Sequence, residues 1–108
     1  MKKFPFFRES GMKNIINNIN KAFDHRIRLG IMSILIVNEY ADFKTLKELL
    51  GATDGNLASH TKALEKEEYI MVEKSFIGRK PNTRYSVTKK GREAFKKHVE
   101  AIEKLLKQ

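Results

Sequence analysis

TDGNLASHTKALEKEEYI occupies residues 53–70. It opens on residues that favour turns, settles into a helical pattern and ends at the β-branched start of a strand. Thr53 is placed to cap the helix, with Asn56 three residues on as in a capping arrangement. Leu57, Thr61 or Ala63, and Leu64 recur on one side, the side such a helix buries. The other side carries Asn56, Ser59, His60 and Lys62, all small or polar. That face is made for something that offers hydrogen bonds or negative charge, not for a core.

Working outward, residues 41–51 read as a short helix carrying Leu46, Leu49 and Leu50, with Phe43 packing at its entry. Gly51 is a natural C-cap. Two short helices joined through Gly51, Ala52 and Thr53 make a helix-turn-helix unit. Downstream, IMVEKSFI (residues 70–77) and TRYSVT (residues 83–88) are rich in strand formers. Gly78, Pro81 and Asn82 stand between them, so the pair reads as a β-hairpin with Arg79 and Lys80 at its tip.

Upstream, Met12, Ile15, Ile16, Ile19 and Phe23 repeat at helical spacing, which predicts an amphipathic helix over residues 12–23. The FPFF before it reads as extended or loosely docked. Asp24 reads as the N-cap of a helix running to about Tyr40. That helix has two apolar stripes: Ile27, Ile31, Ile34 and Leu35, and on another side Leu29, Met32 and Ile36. A helix apolar on most of its surface needs cover on more than one side. Thr88 caps a final helix in which Phe95, Val99, Ile102 and Leu106 form a short coiled-coil-like seam. The whole reads as one domain over residues 1–108. An N-terminal extension and helix fill 1–23, the core 24–88, and a dimerisation helix 89–108.

With 108 residues and 41% apolar content, the chain can build one core. It has no cysteine, so disulfides, thiolate metal sites and cysteine nucleophiles are excluded, and a reducing cytoplasm fits. The start, MKKFPFF, departs from a secretory signal because Arg8, Glu9 and Lys13 interrupt it too early. The longest uncharged apolar run, LGIMSILIVN over residues 29–38, is too short to span a bilayer. The expectation is a soluble chain with no membrane partner.

The net charge is +9. A basic domain this small points to nucleic acid or an anionic surface, unless the charge is spread evenly for solubility. It is not spread evenly. Residues 75–97 hold eight bases, Arg79, Lys80, Arg84, Lys89, Lys90, Arg92, Lys96 and Lys97, against the single acid Glu93.

The ordered segments DFKTLKELLGATDGNLASHTKALEKEEYI and GRKPNTRYSVTKKGREAF resemble the winged helix-turn-helix regulators of the MarR and ArsR type, closest to a small group of single-domain prokaryotic proteins. The resemblance covers roughly residues 25–97. It implies a mainly α fold with a β-hairpin wing, of α+β class. It implies a homodimeric, sequence-specific regulator on double-stranded DNA. The third core helix would lie in the major groove and the wing would reach the flanking minor groove. The positions implied are Thr53, Asp54, Gly55, Asn56, Ser59, His60 and Lys62 on the helix, and Arg79, Lys80, Asn82 and Arg84 on the wing. The residue types suit this. The major groove admits a helix and presents donors and acceptors, which small polar side chains can read. Some readings are simpler. Asp54 serves the start of its helix, Thr53 is a cap, and Arg84 pairs with an acid across the hairpin.

Other classes fit less well. No phosphate loop, metal-ligand cluster or acid pair in an apolar pocket stands out, so neither an enzyme nor a cofactor is expected. His25, His60 and His98 are far apart in sequence, which argues against a three-histidine zinc site. A protein-interaction winged helix and an RNA-binding domain remain as alternatives. An effector pocket between the terminal helices and the core is open, but no residue pattern names a ligand.

Overall fold

The computed structural model describes residues 9–107. The expectations for MKKFPFF lie outside them. Among the described residues the order is α1 (Glu9–Asn17), a 3-10 turn (Lys21–Phe23), α2 (Arg26–Val37), β1 (Ala41–Asp42), α3 (Phe43–Leu50), α4 (Asp54–Lys66), β2 (Ile70–Ile77), β3 (Lys80–Val87) and α5 (Lys89–Leu106). The three strands form one antiparallel sheet in the order β1-β3-β2. The class is α+β, a winged helix.

α2 is the centre. Ile27, Ile31, Met32 and Leu35 are buried along it. Met32 therefore belongs to the core and not to a second stripe, because the buried arc is wide enough to take the neighbour of Ile31. Of that second stripe, Leu29 is exposed, and Ile36 is half-buried close to α5. α2 also starts later than its sequence suggests. His25, not Asp24, is the N-cap, and its Nδ1 accepts from the Ile27 amide at 3.1 Å. The single helix read over residues 12–23 is instead two pieces. Asn17, Asn18 and Asn20 are poor helix formers that compete for backbone hydrogen bonds. Asn20 caps the 3-10 turn by accepting from the Ala22 amide at 2.9 Å. That break drives Phe23 into the core at 1% exposure.

Ala41 and Asp42 are not helical. They pair with Tyr85 and Arg84 as a third strand, too short to show alternation in sequence. Asp42 then caps α3, accepting from the Thr45 amide at 2.8 Å, and this bond holds its carboxyl below the usual value. Gly51 ends α3 at φ 59, in the left-handed region that favours glycine. Thr53 caps α4, accepting from the Asn56 amide at 3.1 Å.

The hairpin turns on Gly78 and Arg79 alone, with Gly78 at φ 64 as the first loop position requires. Pro81 and Asn82 lie in β3 and not in the tip. Pro81 faces Phe76, one pair away from the closing pair Ile77 and Lys80. In an antiparallel ladder that pair exchanges no hydrogen bond, so the missing proline N–H costs nothing.

Thr88 fastens α5. Its hydroxyl accepts from the Gly91 amide at 2.9 Å and donates to the Glu68 carbonyl at 2.7 Å, while its amide donates to the Tyr69 carbonyl at 3.1 Å. Further along, His98 is buried, and its Nδ1 accepts from the Asn20 amide at 2.9 Å. Arg92 donates to the Ile36 carbonyl at 3.2 Å, an otherwise open end of α2. Ile102 and Leu106 of the seam are exposed, and Phe95 is buried.

Candidate nucleic-acid interface

α4 is held from behind. Leu57, Thr61 and Leu64 are buried against the core, and the Thr61 hydroxyl donates to the Ala58 carbonyl at 3.1 Å. A helix locked along one side presents the other as a fixed surface. On that surface Gly55, Asn56, Ser59 and Lys62 are exposed. None of their side chains is hydrogen-bonded within the described residues, so their donors and acceptors are free.

Three other expected positions are occupied differently. The Thr53 hydroxyl is used as the cap. Asp54 meets Lys47 of α3 at 2.9 Å, a surface pair across the helix-turn-helix joint. It also stands in the first turn of α4, where negative charge suits the helix dipole. His60 is half-buried and turned toward α2. Its Nδ1 accepts from Arg28 Nε at 3.0 Å, and its ring stacks on His25 with centroids 4.0 Å apart. Burial, and then the nearby His25 and Arg28, push His60 below the ordinary histidine value. The sequence separation of the histidines is thus misleading: His25 and His60 touch.

On the wing, Arg79 and Lys80 are exposed at the tip. Arg84 is four residues farther down β3, roughly 13 Å along the strand. Its Nη2 lies 3.1 Å from Glu73 Oε1, and its guanidinium sits 4.0 Å above the Tyr40 ring. Asn82 lies on the same outer face, opposite Ser75. Arg84 is therefore apart from the tip cluster, while Asn82 follows Lys80 by two residues on the same face. The register puts Lys74 and Thr83 on the other face, where they line a groove with Ala58, Lys62 and Glu65 of α4. Lys74 is thus a basic residue on the side of α4. It could have been found by extending the alternation from buried Ile70 through Val72. Lys47 and Arg28 carried no sequence signal beyond charge.

The exposed face of α4 and the tip of the wing are both polar and basic, and Asp54 at the start of α4 is paired with Lys47. No helix among the described residues is long and apolar enough to cross a membrane.

This geometry has close parallels. An uncharacterized protein of Methanocaldococcus jannaschii is 40% identical over 87 residues, covering 81% of this chain and 95% of that protein. A transcriptional regulator homologue protein from Pyrococcus horikoshii OT3 superposes with a TM-score of 0.79 at 28% identity, over 91% of this chain and 95% of that one. A MarR-like transcription regulator from Bacillus cereus shares the fold, with a TM-score of 0.64 at 20% identity over 91% and 76% of the two chains. The winged helix DNA-binding domain family matches residues 27–106, from the start of α2 to the end of α5. The chain belongs to that family of winged helix DNA-binding domains.

Proposed function

We propose that the chain is a sequence-specific transcriptional regulator of the cytosol that binds double-stranded DNA as a homodimer. α4 enters the major groove, and Arg79 and Lys80 reach the flanking minor groove. The observation that carries this reading is the free polar face of α4: Gly55, Asn56, Ser59 and Lys62 exposed on a helix whose opposite side is fully buried. Gly55 lets the helix approach closely. Asn56 and Ser59 offer donors and acceptors of the kind base edges recognise. The 28% identical Pyrococcus protein, described as a transcriptional regulator homologue, supports the regulatory role.

Dimerisation rests on uncovered apolar surface. Ile16 of α1 and Ile102 and Leu106 of α5 are exposed. Beside them Ile36, Phe95 and Val99 line an open groove between α2 and α5. A second copy covers such surface most economically, and two-fold symmetry then sets two α4 helices on half-sites about one helical turn apart.

The test is selection of bound sequences from random duplexes, with sedimentation of the free protein. A recovered palindrome with half-sites at that spacing, and a dimer at micromolar concentration, are expected. A monomer that binds duplexes without preference, or binds single-stranded RNA equally well, would overturn the reading.

A further inference from the structure

The start of α2 carries charge that the reading above leaves unused. His25, Arg26 and Arg28 stand at its N-terminal end, and its first turn has no acid. Cations there oppose the helix dipole. Arg28 forms no ion pair within 4 Å among the described residues. Its Nε donates to a neutral acceptor instead, Nδ1 of His60 on α4, at 3.0 Å.

The rings around it are fixed in turn. His25 stacks on His60 with an interplanar angle of 36°, and its own Nδ1 accepts from the Ile27 amide at 3.1 Å. The Arg28 guanidinium can only donate, so His60 meets it through an unprotonated Nδ1, with its hydrogen on Nε2. The choice of acceptor matters. A carboxylate would hold the guanidinium more strongly but would cancel its charge. An imidazole fixes its direction, keeps the full positive charge and leaves the two terminal nitrogens free as a fork. That fork matches the oxygens of a phosphodiester. The location agrees: His60 follows Asn56 by four residues, so the two are neighbours on the helix surface and Arg28 borders that edge of α4.

We propose that Arg28 is a phosphate contact of the DNA interface, and that His60 is the residue that positions it and not a reader of bases. The inference rests on the DNA-binding reading. It adds a contact from α2, outside the helix-turn-helix and the wing, and gives His60 a different role from its neighbours Asn56 and Ser59.

A double-mutant cycle tests it. Binding to a fluorescein-labelled mixed-sequence duplex is followed by anisotropy across salt for the unmutated chain, Arg28→Ala, His60→Ala, the double variant and His60→Gln. Arg28→Ala should lower the slope of log affinity against log salt by about 0.9 for each copy of the chain bound. Between 50 and 200 mM salt that is roughly a three- to fourfold smaller loss of affinity per contact. His60→Ala should weaken binding at low salt, yet add little once Arg28 is alanine. His60→Gln, which keeps an acceptor, should restore most of the loss. Thermal melts of each variant separate lost contact from lost fold, and Arg28→Gln, which keeps most of the aliphatic stem, serves if alanine unfolds the chain. An unchanged salt slope in the Arg28 variants, with duplex binding otherwise intact, would overturn the proposal alone. Additive effects of the two alanines would remove the positioning role. Failure of the unmutated chain to bind duplex would overturn both this proposal and the DNA-binding reading.

Discussion

Gly91→Ala should destabilise the protein, although alanine is ordinarily the better helix former by about 1 kcal/mol. A Cβ at Gly91 would overlap the Tyr69 carbonyl oxygen and stand 2.8 Å from its carbon and 2.9 Å from Tyr69 Cα. All three are backbone atoms and cannot swing aside. Comfortable contact for carbon is about 3.5 Å, so the entry of α5 must withdraw by about 1 Å or more. Two bonds bridge that gap: the Thr88 amide to the Tyr69 carbonyl at 3.1 Å and the Thr88 hydroxyl to the Glu68 carbonyl at 2.7 Å. Each contributes roughly 0.5–1.5 kcal/mol net. Losing both costs roughly 1–3 kcal/mol, which after the gain of about 1 kcal/mol in propensity leaves a net cost of up to about 2 kcal/mol. At about 4–8 °C per kcal/mol for a domain of this size, the melting temperature should fall by up to roughly 15 °C. The assay is a thermal melt by circular dichroism, paired with Gly55→Ala. Gly55 is also helical, but nothing lies within 4 Å of its added Cβ, so that variant should melt at or above the parent. If Gly91→Ala melted no lower than the parent, the close approach of α5 to Tyr69 would not be what the glycine serves.

Glu68 is held at φ 63 in the left-handed region, so Glu68→Gly should raise stability by up to about 1 kcal/mol; a lower melting temperature would refute the strain. Burial pushes His98 below the usual histidine value of 6.5, with Asp24 acting weakly the other way. The unfolded chain then binds the proton more readily, so stability is full above about pH 6.5 and declines as pH falls below it. His98→Gln should flatten that decline, and parallel losses in both proteins would acquit His98. Asn56→Ala and Ser59→Ala should each cost roughly 1–3 kcal/mol at a selected site and little on mixed sequence; equal losses on both would make them phosphate or folding contacts. Arg79→Ala with Lys80→Ala should weaken binding to every duplex and lower the salt slope by about 0.9 for each phosphate contact removed. No change would take the wing out of the interface.

The elements that could be read from sequence were those whose signals are local. Gly51 and Thr53, and Thr88 in its role as a cap, act within a few residues, and each does what its type implies. The buried side of α4 follows from spacing alone. What could not be read depended on partners distant in the chain. β1 exists only because Tyr85 and Arg84 lie opposite Ala41 and Asp42. Asp24 looks like a cap, but the position one residue later has the extended backbone a cap needs, and His25 supplies the acceptor. Met32 reads as part of a second apolar stripe with Leu29 and Ile36, because a sequence cannot say how wide the buried arc of a central helix is. Pro81 looked like a turn residue because proline usually is one, and only the register shows that its missing donor is harmless there.

The same distinction runs through the candidate interface. Thr53, Asp54 and Arg84 are polar, near the groove side of the fold, and of the type expected to touch DNA. Each nevertheless has a partner within the chain: an amide of its own helix, Lys47 across the joint, and Glu73 with Tyr40 at the base of the wing. The Thr53 bond and the Asp54 pair shape the turn between α3 and α4, and the Arg84 contacts brace the sheet from which the wing extends. The Asp54 pair is exposed, with side chains 43% and 75% accessible, so its direct worth is small. Its value lies in the angle between the two helices. Asn56, Ser59, Lys62, Arg79 and Lys80 have no such side-chain partner among the described residues. A side chain already engaged must break a bond to read a base, and that cost is subtracted from whatever the base returns. Side chains without partners incur no such cost, so discrimination between sequences should rest with Asn56 and Ser59, while the engaged residues set where that face points.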